Sequence, residues 1–117
     1  MSYIDGVVVA VPAAKKREFI EHATRSAHVF KEYGAIRVVE CWADDVPHGK
    51  LTDFYRAVQA SEDETIVFSW IEWPDKAARN TAWQVIMNDP RLSAENNPMP
   101  FDGKRMIFGG FEIIGNI

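Results

Sequence analysis

An α+β fold, a ferredoxin-like βαββαβ sheet with both helices on one face, is predicted by three features of this 117-residue chain. Four short segments are rich in valine, isoleucine and aromatic residues, as strands are. Two longer segments with helical spacing of apolar residues fall between the first and second of these and between the third and fourth. No repeat or long linker divides the chain, so residues 1–117 read as a single domain around one core.

Residues 3–11, YIDGVVVAV, read as a first strand buried on both faces and stopped by Pro12. In AAKKREFIEHATRSAHVFKEY, Phe19, Ala23, Ala27 and Phe30 recur at helical intervals, and Gly34 supplies a stop. Lys15, Lys16, Glu18, Glu21, His22, Arg25, His28 and Lys31 fall largely off that stripe and read as a solvated face. Residues 35–44, AIRVVECWAD, form the second strand, and Pro47 and Gly49 punctuate the loop after it. TDFYRAVQAS admits two readings: a short helix capped by Thr52 with Phe54 and Val58 on one face, or a strand over FYRAV. The helix is preferred.

TIVFSWIEW, residues 65–73, is the third strand, after which Asp75 caps a helix running to Asn88. Asp89-Pro90 stops that helix, RLSAENNPMPFDG follows as a polar stretch, and KRMIFGGFEII closes the sheet as the fourth strand. Within MPFDGKR, a turn with a hydrophobic anchor is preferred to a lid over a cavity mouth.

A hydrophobic share of 47% and a charged share of 26% match soluble globular proteins. The formal charge of −4 gives no general attraction to phosphate, which makes nucleic acid a disfavoured partner. A single cysteine cannot form an internal disulfide, and MSYIDGVVVAVPAAKK lacks the order of a signal peptide. With no apolar run near the roughly 20 residues that span a bilayer, no membrane association and a cytoplasmic protein are expected.

Strand alternation puts Glu40 and Trp42 on one face of the second strand. It puts Ile66, Phe68, Trp70 and Glu72 on one face of the third, and Val67, Ser69, Ile71 and Trp73 on the other. Both sets on the third strand are substantially apolar, yet two helices cover only one side of a sheet. A second copy of the chain is the expected cover, giving a homodimer with a cavity between its sheets. In that cavity Trp42, Phe68 and Trp70 would form the apolar wall, and Asp102, Lys104 or Arg105 would offer charge to an anionic or carbonyl-bearing ligand. If both point inward, desolvation would raise the carboxyls of Glu40 and Glu72 and fit one of them, Glu40 or Glu72, as the catalytic proton-transfer group. The opposing reading pairs each carboxylate with an arginine such as Arg37 or Arg105.

The stretches ECWADDVP, TDF, VFSWIEWP, DPR and MPFDGKRMIFGGFE occur in this order, and with them the chain from Tyr3 to about Glu112 resembles the YbaA-like family of uncharacterised bacterial proteins. The resemblance implies a dimeric α+β barrel in a small cytoplasmic protein and carries no catalytic residue onto this chain. That barrel type is similar to cofactor-free monooxygenases and small-molecule-degrading enzymes, an association of fold rather than of site.

Other chemistry has weaker support. Cys41 lies in no nucleophile motif and reads as a buried small hydrophobe. Asp44, Asp45, His48 and Asp53 collect in a turn without a recognised ligand spacing, so no metal is expected. There is no Gly-rich phosphate cradle and hence no expected nucleotide cofactor; Gly109-Gly110 reads as a bulge or a close backbone approach. KRMIFGGFE resembles the basic-Gly-aromatic pattern of RNA-recognition motifs but falls on the fourth strand instead of the third. The expected function is small-molecule binding by a homodimer, with cofactor-free oxidation or proton-transfer chemistry. A non-enzymatic dimeric binding or stress-related protein is the alternative, and RNA binding the third reading.

Overall fold

The computed structural model describes residues 2–117. Strands β1 (Tyr3–Pro12), β2 (Arg37–Trp42), β3 (Glu64–Trp73) and β4 (Ile107–Glu112) alternate with helices α1 (Lys16–Glu32), α2 (Phe54–Ala57) and α3 (Lys76–Ile86). The strands form one sheet in the order β2-β3-β1-β4, antiparallel throughout. This is the ferredoxin-like arrangement expected from the sequence.

The elements begin and end for local reasons. A 3-10 turn over Ala13–Lys15 separates β1 from α1, and α1 closes at Tyr33 before Gly34 turns the chain at φ 111°, a conformation open to glycine. Asp75 caps α3 by accepting from the Ala78 backbone N–H at 2.7 Å. The short helix forms, but its cap is Asp53, which accepts from the Arg56 N–H at 2.7 Å, and not Thr52. The fourth strand is shorter than expected, because Asp102 accepts from Lys104 N–H and winds Gly103–Arg105 into a 3-10 turn.

Register decides which strand residues meet the helices. Glu40 lies opposite Ser69 and Trp42 opposite Val67, while Val67 lies opposite Val9. Val9, Val11 and Val67 pack with Phe19 and Ala23 of α1, and Trp42, Phe101 and Met106 close over this cluster. Ile71 and Trp73 pack with Ala35 and with Ala82 and Ile86 at the α3 end. On the other face, Ala10, Ile66 and Val58 form a smaller core under the segment that contains α2. β1 is thus buried on both faces only toward its C-terminal end, at Val9, Ala10 and Val11.

The remainder of that second face is open. Phe68 and Ile107 are each 45% exposed and Phe111 is 56% exposed, so apolar surface lies uncovered in the single chain. The ring of Phe111 lies over Gly6 and Gly109, which face each other across the β1–β4 ladder. On the helix side Tyr3 fills the space beside Gly110. Aromatic rings, not a bulge or an approaching backbone, explain the glycine pair.

Two buried polar hubs fasten the helix layer. Asp5, 5% exposed, accepts from the indole N–H groups of Trp73 at 2.9 Å and Trp83 at 2.8 Å and from Arg79 at 2.7 Å. Asn97, 2% exposed, accepts from Arg25 at 2.9 Å, bonds His22 at 3.0 Å and donates to Ser26 at 2.8 Å. His22 therefore leaves the solvated face expected for it. Burial lowers its pKa, with the Asn97 hydrogen bond opposing.

Candidate functional site

The sequence-derived constellation divides between the two faces of the sheet. Glu40 and Trp42 lie on the side covered by α1, whereas Phe68, Trp70 and Glu72 lie on the open side. Their common inward face was an expectation of alternation within each strand; the β2–β3 register, which alternation does not specify, overturns it. Glu72 is bound to Arg37 at 2.8 Å across the ladder.

Arg105 is likewise committed elsewhere. Its guanidinium grips Glu64 at 2.7 and 2.8 Å, donates to Asp102 at 3.0 Å and reaches the Gln59 carbonyl at 2.8 Å. This bidentate clamp holds the Glu64 carboxyl down at about 2 and ties the last turn to β3. Phe101 anchors the preceding segment against Phe19, with ring centroids 5.9 Å apart, in keeping with a turn plus anchor.

Glu40 has different surroundings. Ala23 and Ala27 of α1, one helical turn apart, carry no side chain beyond Cβ, which leaves the space between α1 and β2 unfilled. The result is a cleft of about 430 Å³ with Phe19 and Val38 among its apolar lining and Glu40 beside them. Glu40 has no salt-bridge partner among the described residues. By surface area its side chain remains exposed, yet its carboxyl stands among apolar groups that displace much of its hydration. That desolvation pushes it up to about 7, with the facing Ser69 hydroxyl pulling the other way. A carboxyl that titrates near neutrality and still reaches solvent can accept or donate a proton.

Trp42 closes the Phe19 end of this layer, the two rings 6.2 Å apart, and Lys16 lies over the Trp42 ring at 5.6 Å. Phe68 and Trp70 continue an aromatic row with Phe54 on the open face, with centroids 6.1 and 6.0 Å apart. Cys41 belongs to that face, half-buried opposite Phe68. In the loop after β2, His48 stacks on Tyr55 at 4.4 Å, and its Nδ1 lies 3.7 Å from the Asp53 carboxylate that caps α2. Among the described residues no group of three or more His, Cys, Asp or Glu is placed to hold a metal.

Thr24, His28 and Lys31 also line the cleft. Their spacing of four and three, beside Ala23 and Ala27, is the sequence signal that a reading of His28 and Lys31 as a solvated face overlooks.

With this geometry in view, similarities become informative. The chain is 60% identical over 114 residues to the Uncharacterized protein YbaA of Escherichia coli (strain K12), covering 97% of each. The same identity and coverage hold for YbaA of Shigella flexneri. In fold it resembles a mutant of SnoaB, a cofactor-independent oxygenase from Streptomyces nogalater, with a TM-score of 0.61 and 14% identity over 99% of this chain and 96% of that one. No helix among the described residues is long and apolar enough to cross a membrane. Residues 2–103 match the family described as Protein of unknown function (DUF1428), and the chain belongs to that family.

Proposed function

We propose that the cleft between α1 and β2 binds a small organic molecule and that Glu40 exchanges a proton with it. One observation carries this reading: a carboxyl with no salt-bridge partner among the described residues, raised to about 7, lining a cleft of about 430 Å³. That volume falls within the range of small-molecule sites. As a base, the Glu40 carboxylate takes a proton from an acidic C–H or O–H, leaving its electron pair on the ligand as an enolate or phenolate. Oxidation of that anion by dioxygen is the narrower form of the reading, supported by the fold shared with SnoaB and therefore by analogy alone. Glu72 and Arg105 have no part in it.

The test is hydrogen-deuterium exchange at the carbon alpha to the carbonyl in a panel of enolisable ketones, followed by mass spectrometry. Wild-type protein accelerates exchange in at least one of them, and Glu40→Gln lowers that acceleration by a factor of about 10² or more. Equal acceleration by both proteins would sink the role of Glu40.

The open face supports a companion proposal, a homodimer in which Phe68, Trp70, Ile107 and Phe111 meet a second copy. Its support is the exposure of Phe68, Ile107 and Phe111 on a face that the helices do not cover. Sedimentation velocity decides it: a dimeric mass is expected for wild type and a monomeric mass for Phe111→Glu. A wild-type monomer at micromolar concentration contradicts the companion proposal and leaves the cleft untouched.

A further inference from the structure

α1 and β2 run in opposite directions past the cleft. Phe19, near the start of α1, packs on Trp42 at the end of β2, whereas Phe30, near the end of α1, joins the cluster that includes Val38. Lys31 and His28 therefore lie toward the Val38 end, and Glu40 lies two residues along β2 toward Trp42. Two strand residues span roughly 7 Å, so a cationic end and a proton-accepting position are separated by an apolar floor that includes Ala27 and Val38. Thr24, His28 and Lys31 form one row along α1 above that floor. Glu40 is the only carboxylate among the cleft-lining residues, and His28 and Lys31 are their only basic groups.

Resting on the assignment of this cleft as the ligand site, we infer that its ligand is a ring-bearing organic anion. Its carboxylate or phenolate oxygen meets Lys31 and His28, and its apolar body lies over Ala27 and Val38 toward Glu40. Charge complementarity selects the ligand's polar end, and the floor, where Ala23 and Ala27 carry no side chain beyond Cβ, accommodates a flat apolar body. Lys31 is then a specificity-determining residue.

The experiment is an NMR titration of the full chain at low salt with two matched probes, naphthoate and neutral naphthamide. Both are expected to shift amide signals in residues 20–31 and 38–40, with naphthoate binding about fivefold more tightly. Lys31→Ala removes that preference, Lys31→Arg retains it, and Ala27→Leu blocks both probes by filling the floor. Equal binding of the two probes to wild type, or a preference that survives in Lys31→Ala, overturns the anion assignment and leaves the cleft as a ligand site. Failure of both probes to shift these residues overturns the cleft assignment itself and the inference with it.

Discussion

Glu40 stands directly opposite Ser69 in the β2–β3 ladder, and the Ser69 hydroxyl opposes the desolvation that holds the Glu40 carboxyl up at about 7. The two effects act at one carboxylate and can be separated by a single substitution. Ser69→Ala removes the hydroxyl and leaves the apolar walls, so the Glu40 pKa should rise further. A carbon-13 NMR titration of the glutamate carboxyls measures this, and an unchanged or lower value would exclude the hydroxyl as the opposing influence.

Glu40 also makes stability depend on pH. Its folded-state pKa is raised from 4.5 to about 7, so between those values the folded chain binds more protons than the unfolded chain. Its contribution is therefore fully favourable below about pH 4.5 and declines as pH rises through about 7. Glu40→Gln has no such loss and should gain stability relative to wild type from pH 5 to pH 8, by about 1 kcal/mol after solvent screening is discounted. Urea unfolding at the two pH values provides the comparison, and a constant difference would contradict a raised Glu40 pKa.

The same residues show what the sequence reveals and what it leaves open. Alternation correctly groups Glu40 with Trp42, and Phe68 with Trp70, because side-chain direction along a strand is local. Which group faces α1 depends on the pairing of β2 with β3, and both faces of β3 are apolar enough to suit either outcome. The cleft is still less legible, since Ala23 and Ala27 mark it by side-chain volume that is missing. Asn97 joins His22 across 75 positions of sequence, so no local pattern could take His22 off the solvated face.

Asp5 provides a prediction about the fold alone. Its carboxylate receives both indole N–H groups, of Trp73 and Trp83, together with the Arg79 guanidinium. Asp5→Ala would leave the Arg79 guanidinium without its carboxylate and two indole donors without an acceptor, at a cost of about 3 kcal/mol. Trp83→Phe deletes one donor, preserves most of the ring packing and should cost about 1 kcal/mol. Chemical denaturation of both variants tests the hub; similar losses from the two would show that ring packing, and not the carboxylate, dominates.

Arg105 and Glu64 make the opposite pH prediction from Glu40. Hydrogen bonds from Arg105 hold the Glu64 carboxyl at about 2, below its ordinary 4.5, so the folded state releases protons in this interval. The contribution is fully present above about pH 4.5 and is lost as pH falls toward about 2. Arg105→Met keeps much of the side-chain length but removes the fork that matches both carboxylate oxygens, and should lower the thermal midpoint at neutral pH by about 5 °C. Because the mutant carboxyl loses its main hydrogen-bonding partner, this difference should shrink on acidification below pH 4. Scanning calorimetry at pH 7 and pH 3 measures both quantities. A deficit that stays constant between the two would assign the loss to packing of the arginine stem, since only the ion pair is titrated away in that interval.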